Sequence, residues 1–183
     1  PAVVSFVQSF ANEASITGDN SGGDTSSPWL QTNVQGTNSS NFNLAIERTE
    51  VNDGGSNDLT ERISDPETVG WIAMEQGTTS LGRRALIEAL LSADNVNQNP
   101  TSTAFTPGFF DSPPLVVAGQ MKRDGIDGSW PRRAGITAAN VALFVQEDQW
   151  NDSETGHTGE QLGVIAFSQP FVLVPEPATL VVW

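Results

Sequence analysis

Two stretches of the chain carry the residue types that hold hard cations. Asn52, Asp53, Asn57 and Asp58 crowd around Gly54 and Gly55, and Asp148, Asn151, Asp152 and Glu154 crowd a second stretch. Closely spaced oxygen ligands with glycine turns suit calcium, which takes about 6–8 oxygens. The expected ligands are Asn52, Asp53, Asp58, Asn151, Asp152 and Glu154. The spacing is not that of an EF-hand, which needs ordered ligand positions and a terminal bidentate Glu. An Asx-rich hairpin turn, bonding its own backbone, uses the same residues.

Other chemistry is thinner. His157 is the only histidine and cysteine is absent, so an ordinary zinc site cannot be built. No nucleophile elbow accompanies His157. Glu61 with Glu67 and Glu154 with Glu160 are paired carboxylates of the kind that hydrolyse glycosides across a cleft. Each pair flanks a single loop, which fits strand-edge glutamates better, and no catalytic activity is expected. Trp71, Trp130 and Trp150 can stack on sugar rings, whereas Trp29 and Trp71 equally suit a sandwich core. Trp150, beside Asn151-Asp152 at a strand end, and the loop residue His157 are the expected sugar contacts.

Composition narrows the partners. Acidic residues number 22 against 8 basic, a net charge of −14, and Lys122 is the only lysine. Nucleic acid needs a basic footprint that this chain lacks. An acidic surface is compatible with divalent cations and with solubility outside the cell. No apolar run approaches the roughly 20 residues of a membrane span. Charged residues are only 16% of the chain. Asn, Ser, Thr, Gln and Gly supply the polarity instead, and they favour turns and exposed strand faces over helices.

The elements that would position these loops come in two copies. Asn41–Asp53 aligns with Asn140–Asp152, placing Leu44 on Leu143 and Asn52-Asp53 on Asn151-Asp152. After a longer loop in the first copy, Glu67 falls on Glu160, Gly70 on Gly163 and Ile72-Ala73 on Ile165-Ala166. Upstream, Pro1-Ala-Val-Val matches Pro114-Leu-Val-Val, and Trp29 matches Trp130. Each copy reads as strand, acidic loop, strand. Strands are expected at Pro1–Ala11, Trp29–Val34, Asn41–Val51, Thr68–Gln76 and Thr103–Phe110, and again through the second copy. Residues 83–93 fit both a helical period and period two, with Ala85, Ile87, Ala89 and Leu91 on one side; the strand-rich context favours a strand. The expected fold is all-β: two tandem, related antiparallel β-sandwich units, 1–98 and 99–168, then an extended apolar tail, 169–183.

That tail contains Val174-Pro-Glu-Pro-Ala-Thr-Leu-Val-Val, which resembles the C-terminal sorting signal of the PEP-CTERM family of bacterial exported proteins. The strings Glu147-Asp-Gln-Trp-Asn-Asp-Ser-Glu-Thr-Gly-His-Thr-Gly-Glu and Gly163-Val-Ile-Ala-Phe look like domains found in such proteins, which are similar to H-type lectins. The resemblance implies small β-sandwiches, a bacterial extracellular or cell-surface location, and sugar binding as one use.

The strand inventory implies another use. The second unit opens with an additional strand, Thr103–Phe110, that the first lacks, and it is followed by a surplus apolar tail. A sandwich short of a strand exposes edges and core. An apolar segment from another copy fills such a gap by strand addition, and a head-to-tail contact that does not close builds a filament. The expected function is an extracellular structural protein whose copies assemble into a fibre. Its expected interface is Pro1, Val3 and Phe6 with Phe171, Val172, Leu173, Val174, Thr179, Leu180, Val181, Val182 and Trp183. The alternative is a lectin-like module that binds polysaccharide, with the tail as the remains of a membrane anchor.

Overall fold

Period-two patterning and β-branched residues dictate strands, and strands are the regular elements formed by the residues described. The computed structural model describes residues 1–9, 30–48, 66–81, 85–122, 124–125, 129–147 and 155–168. In chain order these give β1 (Ala2–Val7), β2 (Leu30–Gln35), β3 (Asn43–Arg48), β4 (Val69–Met74), β5 (Gly77–Leu81) and β6 (Ala85–Leu91). There follow β7 (Thr101–Ala104), β8 (Leu115–Gln120), β9 (Ser129–Ile136), β10 (Asn140–Glu147) and β11 (Leu162–Phe167).

The strands form three sheets. Six run in the order β3-β2-β8-β11-β6-β5, three in the order β7-β10-β9, and β1 pairs with β4 alone. The pairings are antiparallel except for one parallel bridge, Asn33 to Gln120, joining β2 to β8.

β11 explains the layering. Leu-Gly-Val-Ile-Ala-Phe has no polar residue, and a strand apolar on both faces must be covered on both. Leu162, Val164 and Ala166 face Val141, Leu143 and Val145 of β10, together with Phe105 and Phe110. On the opposite face, Ile165 packs with Ile87 and Ala89 of β6 and with Ala2 and Val4 of β1. The β1–β4 ribbon and the β7-β10-β9 sheet thus cover opposite faces of the same central strands. β10 is covered on one side only, so its burial alternates along its length.

Two glycines allow the ribbon to lie close. Gly119 and Gly163 are register partners in β8 and β11. A Cβ on Gly163 would stand 2.6 Å from the Val3 carbonyl oxygen, and one on Gly119 would stand 3.2 Å from the Val4 Cα. The backbone of β1 therefore passes over the sheet where side chains are missing.

Residues 85–91 are a strand although their composition also suits a helix. Pairing with β5 on one edge and β11 on the other overrides local propensity. The period-two set faces one way, with Ile87 and Ala89 beneath β1, while Leu86 and Leu90 turn to the other core.

One expectation changes, one strand was not expected, and the strand pairing crosses the expected unit boundary. Thr103–Phe110 is not one strand: β7 ends at Ala104, and Pro107-Gly108 turns the chain, with Gly108 at φ 71° and the Phe109 N–H donating to the Thr106 carbonyl at 3.1 Å. β5 has a Gly-Thr-Thr-Ser-Leu sequence with little apolar content, and it forms as an exposed strand beside β6. The expected boundary at 98/99 passes between β6 and β11, which pair from Ile87–Phe167 to Leu91–Gly163. The described strands on both sides of that boundary share the six-stranded sheet. The physical reason is β11, whose two edges are occupied by β6 from before the boundary and β8 from after it. The tail, 169–183, lies outside the described residues.

The aligned copies nevertheless pair in the same register. Val3 faces Ala73 and Val4 faces Ile72 in the β1–β4 pair; Val116 faces Ala166 and Val117 faces Ile165 in the β8–β11 pair. The two pairs occupy different layers.

Candidate functional site

The ribbon and the sheet beneath it meet at Val4 and Gly119 and expose apolar side chains beyond that contact. Phe6 lies on the ribbon face that carries Val4, and Ile72 is the register partner of Val4. Leu115 and Val117 lie on the face of β8 that carries Gly119. Phe6 is 48% exposed, Ile72 43%, Leu115 51% and Val117 40%. These four side chains lie on facing surfaces of two layers. Beyond Gln120, the outer edge of β8 has no strand beside it among the described residues. Phe167 is the register partner of Leu115, and the Ser168 N–H donates to the Leu86 carbonyl at 2.9 Å. The chain therefore enters its tail beside this apolar surface.

A second feature lies at the other side of the ribbon. Trp71 is 57% exposed, and its ring stands edge-on to Phe42, centroids 5.3 Å apart at 74°. The cleft around them measures about 900 Å³ and is walled by the turn Thr37–Asn41, by Pro1, and by Ala73–Gln76. Gly36, at φ 60°, starts that turn. Asn38 organises it: its Oδ1 accepts from the N–H groups of Ser40 at 2.8 Å and Asn41 at 3.0 Å, and its Nδ2 donates to the Asn41 Oδ1 at 2.6 Å. An aromatic platform ringed by fixed amides and hydroxyls is suited to holding a polyhydroxyl ligand.

Glu160 and His157 form a buried node. Glu160 is fully buried, and its carboxylate accepts from the backbone N–H of Asp124 at 3.0 and 3.1 Å and of Gly125 at 2.8 Å. Burial pushes its carboxyl above the usual range, against the two backbone donors that pull it down. His157 Nδ1 lies 2.7 Å from the Thr158 carbonyl, to which it donates, and 3.8 Å from the Glu160 carboxylate. Gly125 packs so closely on the imidazole that a Cβ there would run into the ring. Nearby, Lys122 bridges Asp124 and Asp94, each at 2.8 Å. The node pins the chain after β8 against the chain before β11.

This geometry redistributes the expected site residues. Asn52, Asp53, Asp58, Trp150, Asn151, Asp152 and Glu154 lie outside the described residues, as do Phe171, Val172, Leu173, Val174, Thr179, Leu180, Val181, Val182 and Trp183. His157 is only 7% exposed, so it packs behind Gly125 and does not present its ring for a sugar. Val3 is fully buried against Val34 and Met121, so it belongs to the core and not to an interface. Phe6 is half exposed, and Pro1 borders the Trp71 cleft. Glu67 and Glu160 do not play equal parts: Glu67 accepts from the Ser9 hydroxyl near the surface, whereas Glu160 is internal. Alternation with Leu44 and Ile46 marks Phe42 as a strand-face residue, but its place opposite Trp71 is a tertiary contact that spacing does not reveal. Among the described residues no group of three or more His, Asp or Glu side chains is arranged to hold a metal, and no helix is long and apolar enough to cross a membrane.

No family model matches the chain. Halomucin of Haloquadratum walsbyi is 29% identical over 132 residues, covering 66% of this chain. The chain spans about 1% of the length of that protein. No solved structure matches.

Proposed function

We propose that this chain is a non-catalytic structural protein of the cell surface or extracellular space, whose copies join by strand insertion. The tail 169–183 of one copy enters the apolar surface of the next and runs along the open edge of β8. The observation that carries this reading is the set Phe6, Ile72, Leu115 and Val117, half exposed on facing layers beside an unpaired strand edge. Covering the exposed halves of four such side chains contributes on the order of 3–6 kcal/mol, set against the cost of ordering the tail. Phe171–Val174 and Thr179–Trp183 are β-prone apolar segments of strand length. Pro175 and Pro177 between them cannot continue a ladder and act as a bend. Equal registers in β1–β4 and β8–β11 support a duplicated ancestor whose halves merged into shared layers.

The test is truncation after Ser168, with negative-stain microscopy and light scattering on both chains. The full chain is expected to form fibres and the shortened one to stay dispersed. Identical fibres from the shortened chain, or a full chain that remains monomeric at high concentration, would overturn the reading.

The exposed Trp71 supports a second reading, in which the Phe42–Trp71 cleft binds the polysaccharide of a surface layer. The two uses occupy opposite faces of the ribbon and are compatible.

A further inference from the structure

The space between the six-stranded sheet and the β7-β10-β9 sheet changes character along its length. At Val141, Leu143 and Val145 it is apolar. The next residue on that face of β10 is Glu147, 3% exposed, and its register partner is Ser129, 1% exposed. Across the gap, the Nε2 of Gln120 donates to the Ser129 hydroxyl at 2.8 Å. Gln120 is bridged in register to Asn33, and two residues along the same face of β2 Gln31 donates to Glu47 at 3.1 Å. Gln31, Asn33, Glu47, Gln120, Ser129 and Glu147 are all more than nine-tenths buried.

Asn33 is the informative member. It is 1% exposed, and neither its Oδ1 nor its Nδ2 has a hydrogen-bond partner; the Gln120 Oε1 beside it has none either. Buried amides are normally satisfied, and an exception points to a bound water or ion. Here the exceptions are neutral hard oxygens on adjacent strands, bordered by a hydroxyl and by buried carboxylates. Neutral amide and hydroxyl oxygens mixed with carboxylates are the ligand chemistry of calcium.

We propose that this polar end of the core is a Ca2+ site. Asn33 Oδ1, Gln120 Oε1 and Ser129 Oγ supply neutral ligands, and Glu147 and Glu47 supply the charge. The Nδ2 of Asn33 is left to donate to a carboxylate oxygen of the shell. The position gives the ion a structural task. The β2–β3 pair is joined to the rest of the sheet through the single bridge at Asn33 and Gln120, so a shared ion ties β2 to β8 and β9 where the ladder is shortest. The site is distinct from the acidic stretches at 52–58 and 148–154.

The experiment is melting of the full chain in EDTA and in calcium, with Tb3+ luminescence sensitised by Trp130, the neighbour of Ser129. A single ion at a hundred times its dissociation constant raises the melting temperature by roughly 5–10 °C in a chain of this size. Hydrogen exchange at β2 and β3 is expected to slow on adding calcium. Asn33→Leu and Gln120→Met are expected to abolish the calcium-induced rise, while Asn33→Asp, which adds charge to the same position, enlarges it. Loop changes such as Asp53→Ala and Asp152→Ala are expected to leave it. No calcium response in the unmodified chain overturns the proposal. So does a response that survives Asn33→Leu, or one that the loop changes remove. If Asn33→Leu does not fold, Asn33→Asp alone decides: an unchanged calcium affinity refutes the site.

Discussion

Gly163→Ala against Gly70→Ala separates close layer contact from mere repetition. The two glycines are aligned in sequence and hold the same register position, Gly163 opposite Gly119 and Gly70 opposite Phe6. Only Gly163 lies beneath another backbone. A Cβ there stands 2.6 Å from the Val3 carbonyl oxygen and 2.9 Å from the Met121 Cγ. Val3 is fully buried, and its N–H reaches the Met121 sulfur at 3.2 Å, so neither neighbour is free to retreat. Overpacking of this kind costs about 1–3 kcal/mol. At about 2–4 °C per kcal/mol for a chain of this size, the melting temperature falls by roughly 2–12 °C. At Gly70 the added Cβ meets the Gln8 side chain at 2.8 Å and the edge of Phe6 at 2.9 Å. Both can swing toward solvent, and alanine suits a strand interior better than glycine, so the expected change is within about 1 kcal/mol. Thermal and urea unfolding of the two variants measure the difference. A Gly163→Ala chain as stable as the original, or a Gly70→Ala chain destabilised as much, would refute the packing of the ribbon on β11.

Two further outcomes follow from the sites. Glu160 has its carboxyl raised by burial, so the folded chain binds more protons than the unfolded one near that range. Its contribution is fully present below the ordinary carboxylate value and is lost as pH rises through the raised folded value. Glu160→Gln is expected to flatten that part of the stability–pH curve while costing about 1–3 kcal/mol through the imperfect match to the Asp124 and Gly125 donors; an unaltered curve contradicts the assignment. Trp71→Ala is expected to abolish binding to neutral polysaccharide in affinity electrophoresis, with a stability change below about 1 kcal/mol because the ring is mostly exposed. Full retention of binding removes the cleft as a saccharide site.

Sequence alone determined the all-β class and most of the strands. Alternation of Phe42, Leu44 and Ile46 with Asn43, Ala45 and Glu47 marked a half-buried strand, and the structure pairs the aligned Ile72-Ala73 and Ile165-Ala166 in equivalent registers. The acidic balance and the absence of cysteine narrow the chemistry by themselves. What covers each face was decided by tertiary structure. Alternation says which side chains share a side of a strand; it does not say whether water or another layer lies there. Gln31 and Asn33 are polar and periodic, a pattern that suits a solvent face, yet both are buried. Of two apolar residues on the ribbon, Val3 is buried and Trp71 exposed, because β1 crosses the glycines of β8 and β11 while Trp71 stands at the rim beside Phe42. His157, polar and in a loop, is internal because Gly125 leaves room for its ring. The union of β6 with β11 across the expected boundary is likewise non-local: an apolar strand takes whichever neighbours cover both its edges and faces, and sequence distance does not enter that choice.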